Sequence, residues 1–345
     1  MKVLISGAAG MVGSNCAEFY AGEGNEVVGV DNLMRSKLFG SDKKSVEYNW
    51  EYLSGLKNIE RVYLDIRDKD GLEDVFKKND FELIIHTAAQ PGVGYSVENP
   101  AEDFSINAVG TFNMLEATRK HAPEASFIFC STNKVYGENV SKYELVESEK
   151  RYSFKDIKGI SENTGIDLVP HTPYGVSKYI GDIYLQEYID TYGIRGCIFR
   201  MSCIYGRRQF GFEDQGWLAW FLIAAVMNKK ITIYGDGKQV RDILFVDDLV
   251  KAFNAFHISG KKSGLYNIGG GPENTTSLIE YLSLLEDVLA LKMDKSFSDW
   301  RPSDQKVYIS DITKVKSELN WAPSIKLDKG LNYLVEWVSK NRDLF

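Results

Sequence analysis

Val3-Leu4-Ile5-Ser6-Gly7-Ala8-Ala9-Gly10-Met11-Val12-Gly13-Ser14 is the stretch that decides the fold. Its run of branched apolar residues predicts a short buried strand. Gly7, Gly10 and Gly13 follow at intervals of three, and Met11, Val12, Cys16, Phe19 and Tyr20 then set an apolar helical pattern. Glycines let the backbone turn sharply and approach a ligand closely, and a helix N-terminus presents free N–H groups to a pyrophosphate. A second apolar strand, Glu26 to Val30, ends at Asp31, eighteen residues beyond Gly13. An acid there accepts hydrogen bonds from an adenosine ribose diol and repels a 2′-phosphate. A lone glycine triplet also suits a tight strand–helix turn with no ligand. Strand, triplet, helix, strand and acid in order predict a dinucleotide site that prefers NAD to NADP. Gly7, Gly10, Met11, Val12, Asp31 and Asn32 are its first candidates, and Arg35 is close enough to blur the preference.

A chain of 345 residues exceeds what a single core usually organises, so one large or two interlocked domains are expected. Apolar content of 44% and charged content of 26% are ordinary for a soluble globular protein. The net charge of −7, with no basic block, argues against a nucleic-acid partner. No apolar run reaches membrane-spanning length, and the opening residues read as a strand rather than a signal peptide. Cys16, Cys130, Cys197 and Cys203 show no paired metal spacing, and the four histidines are scattered, so no metal is expected. Cys130 and Cys197 sit in apolar strand-like runs as buried thiols, which suits a reduced, cytoplasmic setting.

Strand and helix patterns alternate through the first half. A strand from Arg61 to Leu64 closes on Asp65-Ile66, and Leu72, Val75 and Phe76 share a face of the next helix. Asp65 suits either the cofactor site or a turn. Phe81 to Ile85 predicts a strand ending in His86-Thr87-Ala88-Ala89-Gln90, where small residues suit either close passage of a flat ligand or helix–sheet packing. Residues 91–100 read as a loop, and a long helix starts near Ala101. Asn107 falls on its apolar stripe, where a buried amide bonds backbone or orders a water. Strands at Phe127–Cys130 and Arg195–Arg200 flank a helix opened by His171-Thr172-Pro173-Tyr174. This rhythm implies βαβ units and an α/β fold, a Rossmann-type doubly wound parallel sheet. Its ligands collect at the carboxyl ends of the strands.

Residues 138–170 break the rhythm as a lid, an insertion or a surface excursion. Beyond Met201 the pattern loosens into a smaller, discontinuous C-terminal substrate domain. Residues 1–200 therefore read as the dinucleotide domain, also receiving segments near 245–270, and 201–345 as mainly the substrate domain.

Tyr174 and Lys178, four apart on a helix, share a face. A phenol with a pKa near 10 is a poor base at neutral pH, and a nearby ammonium plus an oxidised nicotinamide ring favours the phenolate. Tyr174 then takes a hydroxyl proton as a hydride leaves the same carbon, and Thr132 hydrogen-bonds the same oxygen. Arg241 and Arg301 are candidates for a diphosphate, since guanidinium matches phosphate oxygens in bidentate fashion. Ion pairs with Asp242 or Asp304 are the plain alternative. Gln209, Gln215 and Tyr234 are candidates around a nucleotide base, or ordinary packing polarity.

Gly7-Ala8-Ala9-Gly10-Met11-Val12-Gly13, Tyr174-Gly175-Val176-Ser177-Lys178 and Val240-Arg241-Asp242 together resemble the extended short-chain dehydrogenases/reductases that act on nucleotide-sugars. The resemblance covers essentially the whole chain. It implies a tightly held NAD, a substrate bound through its nucleotide diphosphate, and a triad of Thr132, Tyr174 and Lys178. It places Asp65, Ile66, Ala88, Ala89, Gln90, Asn107, Tyr174, Lys178 and Met201 beside the cofactor, Thr132 and Asn133 beside the substrate, and Cys203 near its diphosphate. Many members have an asparagine at the place of Cys203. Ser131 to Gly137 and Arg200 to Gly211 resemble the subfamily of CDP-paratose (CDP-tyvelose) 2-epimerases, so a CDP-hexose is the favoured substrate. The dehydratases of the family carry an acidic pair after the threonine, where Asn133 and Lys134 stand here. The implied reaction oxidises carbon 2 to a ketone and returns the hydride to the opposite face. A 4-epimerase using the same triad, and a catalytically silent NAD-binding module, are the alternatives. Homodimers are usual in the family, and the apolar helix around Met114 or Tyr184 suits such a contact or burial within one subunit.

Overall fold

The computed structural model describes residues 1–39, 44–301 and 304–345. The chain divides into two compact units. The first comprises Met1–Val135, Thr172–Arg200 and Val250–Tyr266, and the second Tyr136–His171, Met201–Leu249 and Asn267–Phe345.

The first unit is built on β1 (Lys2–Ser6), α1 (Met11–Gly22), β2 (Glu26–Asp31), β3 (Ile59–Tyr63), α2 (Lys69–Lys77), β4 (Leu83–His86), α3 (Gly110–His121), β5 (Ser126–Thr132), α4 (Pro173–Tyr192), β6 (Arg195–Met201) and β7 (Ser263–Ile268). The sheet has seven strands in the order β7-β6-β5-β4-β1-β2-β3. β1 pairs in parallel with both β2 and β4, β2 with β3, and β4 with β5. This is the doubly wound α/β sheet that the alternating pattern implied. The order turns back at β1 and β4, the switch point at which such sheets take ligands. Leu4, Val28, Ile84, Phe127 and Phe129 fill the sheet's core against Leu72 and Phe76 of α2 and Met114 and Leu115 of α3. These strands are apolar on both faces because helices cover both.

Two local readings are corrected. Residues 91–100 are not all loop, since Val93–Glu98 is helical. Pro91-Gly92 before it and Asn99-Pro100 after it are breakers that hide so short a helix in the sequence. β3 begins at Ile59, earlier than Arg61, because Val27 of β2 pairs with Ile59. The long helix expected from Ala101 is continuous in course but changes pitch. Pro100–Phe104 and α3 are joined by a π-helical turn, Ser105–Val109, of the kind that often marks functional sites.

In the second unit, Cys203–Tyr205, Val240–Phe245, Thr275–Ser277 and Val307–Tyr308 form a four-stranded sheet. The helix Trp217–Val226 is apolar all round and buried, with Tyr281 donating to the Leu218 carbonyl at 2.8 Å. Within residues 138–170 the structure has a hairpin, Leu145–Glu147 against Tyr152–Phe154.

Candidate active site

The glycine loop closes because no side chain stands in the way. Gly7 has φ +72°, and a Cβ there would lie 2.6 Å from the Ala88 nitrogen. A Cβ on Gly13 would lie 2.1 Å from the Gly7 carbonyl oxygen. α1 starts at Met11 with no side-chain cap at Gly10 and no acid in its first turn. Its first N–H groups therefore face outward as anion donors. At the end of β2, Asp31 accepts from the Ala9 N–H at 2.9 Å and the Leu33 N–H at 2.8 Å, one to each carboxylate oxygen. Each oxygen keeps lone-pair capacity for a diol. Burial raises the Asp31 pKa, partly offset by these amides, and desolvation lowers Arg35 to about 10. The cradle and the acceptor fit a dinucleotide.

Asn32 donates to Asp65 at 2.8 Å, and Arg67 pairs with Asp65 at 2.7 Å. Burial pushes Asp65 up, but bonds from Arg67 and Asn32 outweigh it and hold the carboxyl below its ordinary value. Asp65 also accepts from the Arg67 N–H at 2.8 Å, so the turn role is filled. Ile66 is buried against Gly110, where a Cβ would meet it at 2.4 Å.

Thr132 ends β5. Tyr174 and Lys178 lie in the first turns of α4, which Thr172 caps by accepting from the Gly175 N–H at 3.2 Å. The Ser96 hydroxyl accepts from the Tyr174 N–H at 3.1 Å. Tyr174 is half-buried, but its hydroxyl lies in an enclosed environment and hydrogen-bonds with Thr132. Lys178 is buried with its ammonium 4.3 Å from the centre of the Phe129 ring. Burial pushes the Tyr174 phenol up to about 12 and the Lys178 ammonium down to about 8. In the protein alone desolvation dominates the phenol, and the ionisation expected at neutral pH is that of a site that also holds an oxidised nicotinamide.

Behind these residues lies a polar network. The Asn107 amide accepts from the Gln90 N–H at 2.9 Å and donates to the Gln90 carbonyl, Asp103 and Ser177 at 3.0, 3.0 and 3.1 Å. Asn107 thus bonds backbone, and Gln90 turns its own amide to Asp103 and the Gly92 carbonyl. Both side chains brace the loop after β4. Asp182, one turn beyond Lys178, pairs with Arg200 at 2.9 Å and accepts from Ser131 at 3.1 Å, all three buried. His86 is hydrogen bonded to Ser6 and Thr111, and burial lowers its pKa to about 3.

In the second unit, Arg301 lies 4.0 Å from the Tyr234 ring centre and pairs with Asp214 at 2.8 Å. Tyr234 donates to Glu213 at 3.0 Å, and the Gln215 backbone pairs with Phe212. Arg301, Tyr234 and the 212–215 turn therefore gather in one cluster. Arg241 pairs with Asp304 at 2.7 Å, the ion-pair alternative raised by the sequence. Cys203 neighbours Arg241, yet burial still lifts its thiol to about 12. Gln209 is buried and accepts from the Gly206 N–H at 3.3 Å. Asn133 lies beside Thr132, whose hydroxyl is 3.4 Å from its side-chain oxygen. Met201, at the end of β6, is half-buried.

A model of the NAD dependent epimerase/dehydratase family matches residues 3–269. The chain belongs to that family. NAD is its cofactor, and nucleotide-sugars are the substrate class. The chain is 38% identical to a CDP-paratose 2-epimerase of Salmonella typhi, covering 98% of this chain and 99% of that one. It is 32% identical to a putative UDP-glucose 4-epimerase of Methanocaldococcus jannaschii, covering 98% and 99%. The crystal structure of a UDP-glucuronic acid 4-epimerase from Bacillus cereus, in complex with UDP-glucuronic acid and NAD, matches at 26% identity. That likeness has a TM-score of 0.81 and covers 99% of both chains. Within this family of epimerases and dehydratases, the chain is an isomerase-type enzyme.

Sequence reading missed Asp103, Asp182 and His86 as parts of this scaffold. Asp182 had a signal, since it continues the Tyr174–Lys178 face by four residues.

Proposed function

We propose that the protein inverts carbon 2 of a CDP-hexose of the paratose/tyvelose type. The observation that carries this is Asn133-Lys134 after the threonine, in a chain similar end to end to a CDP-paratose 2-epimerase. Elimination needs a carboxyl acid and base there, and neither residue supplies one. Bound NAD supplies the hydride acceptor and donor at carbon 2. Tyr174 takes the proton of the carbon-2 hydroxyl, and Thr132 holds that oxygen. Lys178 stabilises the phenolate by its charge. The ketone then presents its other face, and Tyr174 gives the proton back.

In this reading residues 1–200, with segments near 245–270, hold NAD through Gly7, Gly10, Met11, Val12, Asp31 and Asn32. Residues 201–345 take the nucleotide. Arg241 and Arg301 exchange Asp304 and Asp214 for phosphate oxygens, and Tyr234 and Gln215 flank the base. The protein acts in a reducing, cytoplasmic setting, which suits its four free thiols. It works as a homodimer. Met114 is fully buried within the subunit and offers no contact, whereas Tyr184, Ile183 and Phe112 are exposed together on α3 and α4.

Relatives named as 4-epimerases favour a second reading, inversion at carbon 4 by the same triad. Offering CDP- and UDP-hexoses and locating the inverted carbon by NMR separates the two. Inversion of a CDP-hexose at carbon 2 is expected, and inversion at carbon 4 alone rejects the proposal.

A further inference from the structure

Asp103 is 1% exposed, on the short helix before the π-helical turn. Buried carboxylates are rare unless something holds their charge. Two amides donate to a single oxygen of this one, Gln90 at 2.7 Å and Asn107 at 3.0 Å. The same Asn107 nitrogen reaches the Ser177 hydroxyl, which in turn donates to the Tyr174 carbonyl at 3.1 Å. The carboxylate is thereby bridged to the turn of α4 that carries both Tyr174 and Lys178. Donors of this kind are equally met by a neutral amide, so they leave the acid itself unexplained.

The groups around Lys178 make Asp103 the distinctive charge. His86 on β4 and the Cys130 thiol on β5 are neutral, with pKa values displaced by burial to about 3 and about 12. Asp182 on α4 is matched by Arg200 of β6. Asp103 makes no ion pair among the described residues; burial raises its carboxyl, opposed by bonds from Ser177, Gln90 and Asn107 and by the Lys178 ammonium, and as a carboxylate it raises both Tyr174 and Lys178.

We propose that Asp103 is a positioning residue acting through Lys178 and Tyr174, a fixed buried negative charge against which both exchange their protons. It keeps Lys178 an ammonium and restrains Tyr174 from ionising before substrate arrives. This rests on reading Tyr174 as the acid–base group.

The test is Asp103→Asn, which keeps an acceptor and removes the charge. In NAD-loaded protein, tyrosinate absorbance is titrated for each background with and without Tyr174→Phe, so that the difference isolates one phenol. A negative charge raises both pKa values, so its loss lowers both. The Tyr174 titration is expected to move to lower pH by on the order of one unit. Both limbs of the turnover profile move the same way. An unmoved titration and profile, with only slower turnover, overturns the proposal and leaves Asp103 a packing residue. Turnover surviving in Tyr174→Phe instead overturns the reading beneath it. If Asp103→Asn does not fold, Asp103→Ser is measured against the same outcomes.

Discussion

Tyr174→Phe is expected to lower turnover by about 10²–10⁴-fold while NAD stays bound. The substitution removes one hydroxyl and leaves the ring. The α4 cap at Thr172 and the Tyr174 N–H bond to Ser96 involve no part of the phenol, so the helix keeps its place. Thr132 loses its partner but remains hydrogen bonded to the Lys134 N–H at 3.2 Å. What disappears is the hydroxyl proposed to pass a proton to and from the sugar oxygen. In the wild type that group sits in an environment that opposes ionisation, with burial pushing it up to about 12. Its proposed activity at neutral pH therefore relies on the positive charges of Lys178 and of an oxidised nicotinamide. Turnover by product NMR and bound cofactor by absorbance check this together. Activity within tenfold of wild type would show that another group moves the proton.

Asp182→Ala is expected to destabilise the first unit by about 3–5 kcal/mol, because it removes the buried carboxylate that pairs with Arg200 at 2.9 Å. Asp182 is fully buried and Arg200 is 3% exposed. Asp182 also holds Ser131, next to Thr132, and accepts from Gln186 at 2.8 Å, so β5, β6 and α4 lose a common tie. Replacing both charges, as in Asp182→Leu with Arg200→Met, is expected to recover most of the loss, since neither charge is then stranded. Urea unfolding of both variants against wild type measures this. A single variant as stable as wild type would mean that water or another acid reaches Arg200.

The parts of the site legible in the sequence are the local ones. Gly13 is crowded by the backbone of Gly7 and Ala8, and the spacing of the glycines carries that constraint, whereas Gly7 is also crowded by Ala88 just after β4. Tyr174 and Lys178 sit one helical turn apart, so periodicity alone puts them on one face. The bracing network was not legible. Gln90 meets Asp103 and Asn107 across a π-helical turn that breaks the ordinary period, and Ser177 reaches Asn107 from seventy residues away. Asp182 and Arg200 pair through the order of the strands, which composition does not encode. In the second unit, the sequence offered Asp304 as a partner for Arg241, and the structure forms that pair. The cluster of Arg301 with Tyr234 and Asp214 joins residues far apart in the chain, and nothing local announces it.

In the proposed reaction the hydrogen leaving carbon 2 comes back to carbon 2. A CDP-hexose carrying deuterium at that carbon, turned over in ordinary water, tests it directly by NMR of the product. Inverted sugar with the deuterium still on carbon 2 is expected. Inverted sugar whose deuterium has been lost to solvent would contradict it.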